Sequence, residues 1–165
     1  MTKKKYNSVI ILFVLVILNG LMGCNPTDEC RKEKNVVLTI AFKQKLLNQT
    51  TGKYSISNLT IDSIWVRSID RDSLIYNKKR NLQSINLPLR KFSQPSVFQI
   101  RFNNVTDTIH IFHQTNENYF LSLECGCIAV HTINEVISTN HYIDSVSVIN
   151  KDVNTTNTTH IQIFN

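Results

Sequence analysis

The residues of this chain best suited to chemistry are four cysteines, Cys24, Cys30, Cys125 and Cys127, and five histidines. Cys125 and Cys127 form a Cys-x-Cys pair, and on a strand that spacing turns both thiols to one face. Such a pair can open a metal site. No second pair of soft ligands stands at zinc-ribbon spacing, however, so no metal is expected. A disulfide is the more economical use. Cys30 and Cys125 are the expected partners, and in the chain-entropy picture closing so long a loop stabilises the fold by about 4–5 kcal/mol. Cys127 shares the face of Cys125 and stays open as the alternative partner of Cys30. His110 and His113 are three apart, which puts them on opposite faces of a strand and argues against a metal pair. His131, His141 and His160 have no fixed partner and are expected as half-exposed strand residues. There is no G-x-S-x-G elbow, H-E-x-x-H helix, phosphate-cradling glycine loop or calcium-binding loop. Asp70 and Asp72 flank Arg71 in an expected turn, where carboxylates cap the backbone. The chain is therefore expected not to be an enzyme and to use no cofactor.

The first cysteine stands in a different context. Lys3, Lys4 and Lys5 precede an unbroken apolar run from Val9 to Leu18, and Leu21-Met22-Gly23 then leads into Cys24. Ten apolar residues are too few to span a bilayer as a permanent helix, but basic, apolar and small residues in this order make an export signal. The small residues before Cys24 resemble the lipobox of bacterial lipoproteins, where the signal is cut before the cysteine, which is then acylated. On that reading residues 1–23 are the signal peptide, 24–34 are the lipidated cysteine and a polar tether containing Pro26, and 35–165 are the folded domain. Two or three acyl chains, at about 0.8 kcal/mol per buried methylene, would anchor it stably. Asn25 stands where an aspartate would favour inner-membrane retention, so the outer membrane is expected. Asp28 and Glu29 make a weak export cluster, which favours the periplasmic face over the cell surface. With Cys24 acylated, an odd set of thiols remains in a compartment that permits disulfides.

Composition narrows the partners. Three of the eighteen basic residues precede Cys24 while all twelve acidic ones follow it, so the mature chain carries a formal charge of only +3. The longest basic cluster, Lys78-Lys79-Arg80, reads as a solvated turn, and nucleic acid is not expected as a partner. Four glycines and three prolines in a chain rich in Asn, Thr, Ser and Ile describe a folded domain.

Period-two patterning then sets the fold class. Runs at 36–42, 54–59, 61–69, 74–76, 84–89, 97–102, 107–113, 128–133, 141–149 and 160–164 alternate or are rich in branched residues, with no amphipathic helix among them. Asn103-Asn104 joins two of them as a hairpin whose first arm turns Phe98, Ile100 and Phe102 inward. Pro88 cannot donate a ladder bond and belongs at an edge or strand end. Trp65, the one tryptophan, is expected in the core. The expected fold is all-β, a single immunoglobulin-like sandwich of roughly eight to ten short strands. A partly open barrel is the alternative.

Four places read Asp, then Ser or Thr, then an aliphatic residue, at Ser63, Ser73, Thr108 and Ser145. They resemble the general O-glycosylation sequon of the Bacteroidota, although a turn giving way to a strand uses the same residue types. The lipobox at Cys24 with Cys30 soon after, Ser84-Ile85-Asn86-Leu87-Pro88-Leu89, Glu124-Cys125-Gly126 and Ile143-Asp144-Ser145-Val146-Ser147-Val148-Ile149-Asn150 together resemble a family of short Bacteroidota lipoproteins classed as a domain of unknown function. Such proteins tend to carry one cysteine in the Glu-Cys-Gly segment, to which this chain adds Cys127. The resemblance implies a location and no activity. The expected function is that of a non-catalytic accessory lipoprotein, bound to the membrane through Cys24 and contacting another envelope protein or a glycan. The alternative is a ligand- or glycan-binding module using Tyr54, Tyr76, Tyr119 or Tyr142. Clustering of these beside a pocket would favour the alternative, and dispersal would favour the interaction protein.

Overall fold

A computed structural model describes residues 35–165 apart from 51, 70–73 and 124. Cys24, Cys30 and Ser73 therefore lie outside the described residues. Lys34–Asn165 forms one compact unit.

Among the described residues eleven strands run in chain order. They are β1 (Leu38–Leu47), β2 (Tyr54–Asn58), β3 (Ile64–Ser68), β4 (Leu74–Lys79), β5 (Ser84–Leu87) and β6 (Ser96–Phe102). The remainder are β7 (Val105–Ser122), β8 (Gly126–Ser138), β9 (Ser145–Val148), β10 (Asp152–Val153) and β11 (Ile161–Phe164). Two sheets result. One has the order β2-β1-β11-β9, with β5 also on β1, and the other runs β10-β8-β7-β6-β3-β4. This is the all-β sandwich that the alternation implied. All pairings are antiparallel except β1 with β11, where Ile40 stands opposite Ile161.

Each sheet turns its apolar phase inward. Leu38, Ile40 and Phe42 of β1, Ile64 and Val66 of β3, and Phe98, Ile100 and Phe102 of β6 are all buried in one cluster. The rings of Phe42 and Phe102 meet edge to face across the two sheets, with centroids 5.7 Å apart, and Tyr142 stacks on Phe102 at 4.6 Å. Fully burying side chains of this size contributes about 2–3 kcal/mol each. Pro88 falls just beyond β5, so its missing N–H disturbs no ladder.

Trp65 is not in the core. Ile64 and Val66 take the inward phase of β3, and strict alternation sends Trp65 to the outer face, half-buried. Two strands also run further than their apolar patterning. β1 continues through Gln44 and Lys45 to Leu47 because β2 supplies its hydrogen bonds, and β7 continues through Asn116, opposite Val130, and across an irregularity at Glu117 and Asn118 to Tyr119, opposite Ile128 of β8. Past Thr115 and His131, neither β7 nor β8 has another strand neighbour among the described residues, so the hairpin ends as a two-stranded arm.

Candidate functional site

The most chemically distinctive open surface lies on the outer face of β3, β6 and β7. The ladder sets Trp65 opposite Arg101 and Arg67 opposite Gln99, and then Arg101 opposite Thr106 on β7. The Arg101 guanidinium lies 3.8 Å from the Trp65 ring centroid, close enough for a cation–π contact. Arg67 Nε donates to Gln99 Oε1 at 2.7 Å. With Leu74 and Thr106 these residues line a groove of about 400 Å³. Neither guanidinium meets a carboxylate among the described residues, so both keep donors free for an anion or a polyhydroxylated ligand.

A second polar constellation centres on two buried histidines. His113 sits opposite Ile133, and His131 sits opposite Thr115, so the two rings meet edge to face with centroids 4.9 Å apart. Ser96 Oγ lies 2.8 Å from His113 Nε2 and accepts the backbone N–H of Arg90 at 2.9 Å. Thr115 Oγ1 lies 3.0 Å from His131 Nδ1. A serine beside a histidine suggests a nucleophile and its base, but both side chains are wholly buried and no reactant reaches them. Burial pushes the His113 pKa below its ordinary value. His131 is pushed down to about 4, chiefly by burial and further by the charges of His113 and Lys91. His131 also borders a cavity of about 320 Å³ that it shares with Asn35, Val36, Lys91, Cys127 and Ala129.

The expectation of half-exposed histidines thus fails at His131 and His160, which are buried, as His113 also is. His160 accepts the N–H of Thr39 at Nδ1 (3.0 Å) while its own N–H donates to the Thr39 carbonyl, which fastens β11 to β1. Burial lowers its pKa, partly opposed by the Asp152 backbone. Only His141 is well exposed, and His110 faces outward from β7, opposite to His113.

Asp107 is buried, and its carboxylate accepts Thr139 Oγ1 at 2.6 Å and the backbone N–H groups of His141, Tyr142 and Ile143 at 2.8–3.0 Å. His141 Nδ1 adds a fifth contact at 3.1 Å. Burial alone would raise its pKa, but these hydrogen bonds outweigh burial and hold it below the usual carboxylate range. It clamps the segment that carries the chain from β8 to β9, between sheets. The aspartate of one glycosylation-like triplet is therefore a structural ligand of backbone.

The remaining expected residues are scattered. Thr108 faces outward on β7, its N–H bonded to Thr139 Oγ1. Ser63 precedes β3 and donates its N–H to Asn103 Oδ1 at 3.1 Å, and Ser145 opens β9. Cys125 is buried and disulfide-bonded, whereas Cys127 is an exposed free thiol. Among the described residues no three His, Cys, Asp or Glu side chains converge to hold a metal. Tyr54 is exposed on β2, Tyr76 binds the Asn86 backbone, Tyr119 lies on the β7–β8 arm and Tyr142 stacks on Phe102. None of the four lines the Trp65 groove.

Comparison with protein families matches residues 58–165 to a family of unknown function, DUF6452. The match runs from the last residue of β2 through β11. No curated protein and no solved structure matches the chain.

Proposed function

We propose a function for this chain, which belongs to the DUF6452 family of unknown function: it is a non-catalytic lipoprotein of the bacterial envelope, and its β-domain docks another envelope protein. On this reading it is a Bacteroidota-type lipoprotein, held by acyl chains on Cys24 in the outer membrane at its periplasmic face. The observation that carries the docking role is the free end of the β1–β2 hairpin. Leu46 pairs with Ser55 and Leu47 with Tyr54, and Leu46, Leu47, Tyr54 and Ile56 all stay exposed, Tyr54 by 70%. Apolar residues gathered on a hairpin end, uncovered by the rest of the described domain, are the kind of surface that a protein partner covers. Dispersal of the tyrosines away from a common pocket supports the same reading.

The test is a photo-crosslinking residue in place of Tyr54 in intact cells, with Lys78 as the control position. One discrete partner captured at position 54, absent at 78 and lost on Leu47→Ser, is expected. Mass spectrometry of the same material should find Cys24 acylated. An unmodified amino terminus would overturn the lipoprotein reading, and equal capture at both positions would overturn the docking role.

The Trp65 groove favours a second reading, a glycan-binding module, because an aromatic shelf flanked by free guanidinium donors suits an acidic sugar. A glycan-array signal abolished by Arg101→Ala and retained by Leu47→Ser would select it.

A further inference from the structure

We propose that the end of the β7–β8 arm is a membrane-contacting element, laid into the interfacial zone of the bilayer that carries the protein's acyl chains. This rests on the lipoprotein reading and adds to it an orientation for the domain. Two observations lead to it. The arm ends in exposed apolar residues, Tyr119, Phe120 at 59% and Leu123 at 95%, while Phe92 on a neighbouring loop is exposed by 84%. Aromatic and aliphatic side chains with polar backbone nearby suit the headgroup boundary, where one end of a ring is apolar and the other wet. Asn116, Glu117 and Asn118 follow further from the turn, as expected where the arm leaves the lipid.

The second observation is where the chain enters. Asn35 and Val36, the first described residues, line the same cavity as Cys127, Ile128 and Ala129 of β8. The described chain thus begins against this arm rather than at the far edge, where β4 lies. Ten residues separate Cys24 from Asn35. Even fully extended they reach no more than about 40 Å.

A bilayer occupant is therefore favoured over a soluble partner for this surface, because so short a tether keeps the membrane within reach of it.

Cys127, opposite Phe120 in the ladder, supplies the probe. The acylated protein is labelled there with an environment-sensitive fluorophore and reconstituted into phosphatidylethanolamine–phosphatidylglycerol vesicles containing headgroup-proximal nitroxide lipid. The control carries the label at Lys78→Cys on β4 in a Cys127→Ser background. Label at position 127 should shift to the blue and lose most of its emission to the nitroxide, while label at 78 stays quenched only weakly. Phe120→Ser with Leu123→Ser, both exposed and so harmless to folding, should return the position-127 signal to the control level. Equal quenching at 127 and 78 in protein whose mass confirms acylation would overturn the proposal. Absence of the acyl mass would instead sink the lipoprotein reading on which it rests.

Discussion

His131 should make this fold sensitive to mild acid. Above about pH 6.5 its imidazole is neutral in both folded and unfolded chains, so it adds nothing to the pH dependence. Below that pH the unfolded chain takes up a proton that the folded chain refuses until about pH 4, because the ring is buried beside His113 and Lys91. The folded pKa is depressed, so stability is complete above the unfolded value and is lost as the pH falls towards the folded one. The whole difference of about 2.5 pKa units corresponds to about 3 kcal/mol, of which about 1.4 kcal/mol is lost by pH 5.5. Urea unfolding of wild type and His131→Leu at about pH 7.5 and pH 5.5 isolates the term. His131→Leu gives up the contact with Thr115, so its absolute stability is not the readout. Wild type should lose about 1.4 kcal/mol more than the variant over that range, a shift of about 1 M urea in the midpoint at an unchanged slope. His113 and His160 act in both proteins and largely cancel. Equal losses in the two proteins would refute the argument that burial holds His131 neutral.

Asp107→Asn should cost about 2–4 kcal/mol, because an amide nitrogen faces at least one backbone N–H that the carboxylate now accepts, and the charge-assisted bonds weaken. Thermal unfolding at neutral pH checks it, and wild type alone should show a further loss of stability as the pH falls below about 3.8, through the depressed pKa of Asp107. Gly126→Ala should cost about 1 kcal/mol through backbone strain alone, since φ is +72° there and an added Cβ meets nothing within 4 Å. Gly126→Asn, which tolerates that φ better, should be milder in the same melts. A reduced sample should yield two further alkylated thiols, Cys125 and its disulfide partner, whereas among the described cysteines the native protein should label at Cys127 only.

The inward registers of β3 and β6 were legible because apolar residues alternate there without interruption. The same alternation was enough to place Trp65 outside, had the phase of Ile64 and Val66 been weighed above the usual habit of tryptophan. Length was harder to read. Nothing in Gln44 and Lys45, or in Asn116, announces a strand, because what holds them is the partner backbone rather than burial of their own side chains. β10 is hidden by its shortness, two residues pairing with Thr132 and His131 beside a run of Asn and Thr, although Val153 is buried in the core. The outer groove joins four strands whose order alternation does not specify, so Trp65 and Arg101 meet only once β3 and β6 are known to be neighbours.

The buried polar residues left a subtler trace. Ser96 stands in phase with Phe98, Ile100 and Phe102, and Asp107 and His113 stand in phase with Ile109 and Ile111. A polar residue in an inward phase must find partners or pay for desolvation, so the phase alone announces three buried polar groups. Ser96 and Asp107 bond connecting backbone, at Arg90 and at 141–143, while His113 bonds Ser96. Each stands at an end of its strand's inward apolar run, where the loops that leave the sheet present unpaired N–H groups. They fix the crossings between sheets and are closed to any ligand. Function is then left to what the core does not absorb, the two hairpin ends and the outer face of β3 and β6, and these are the surfaces on which the proposed contacts are placed.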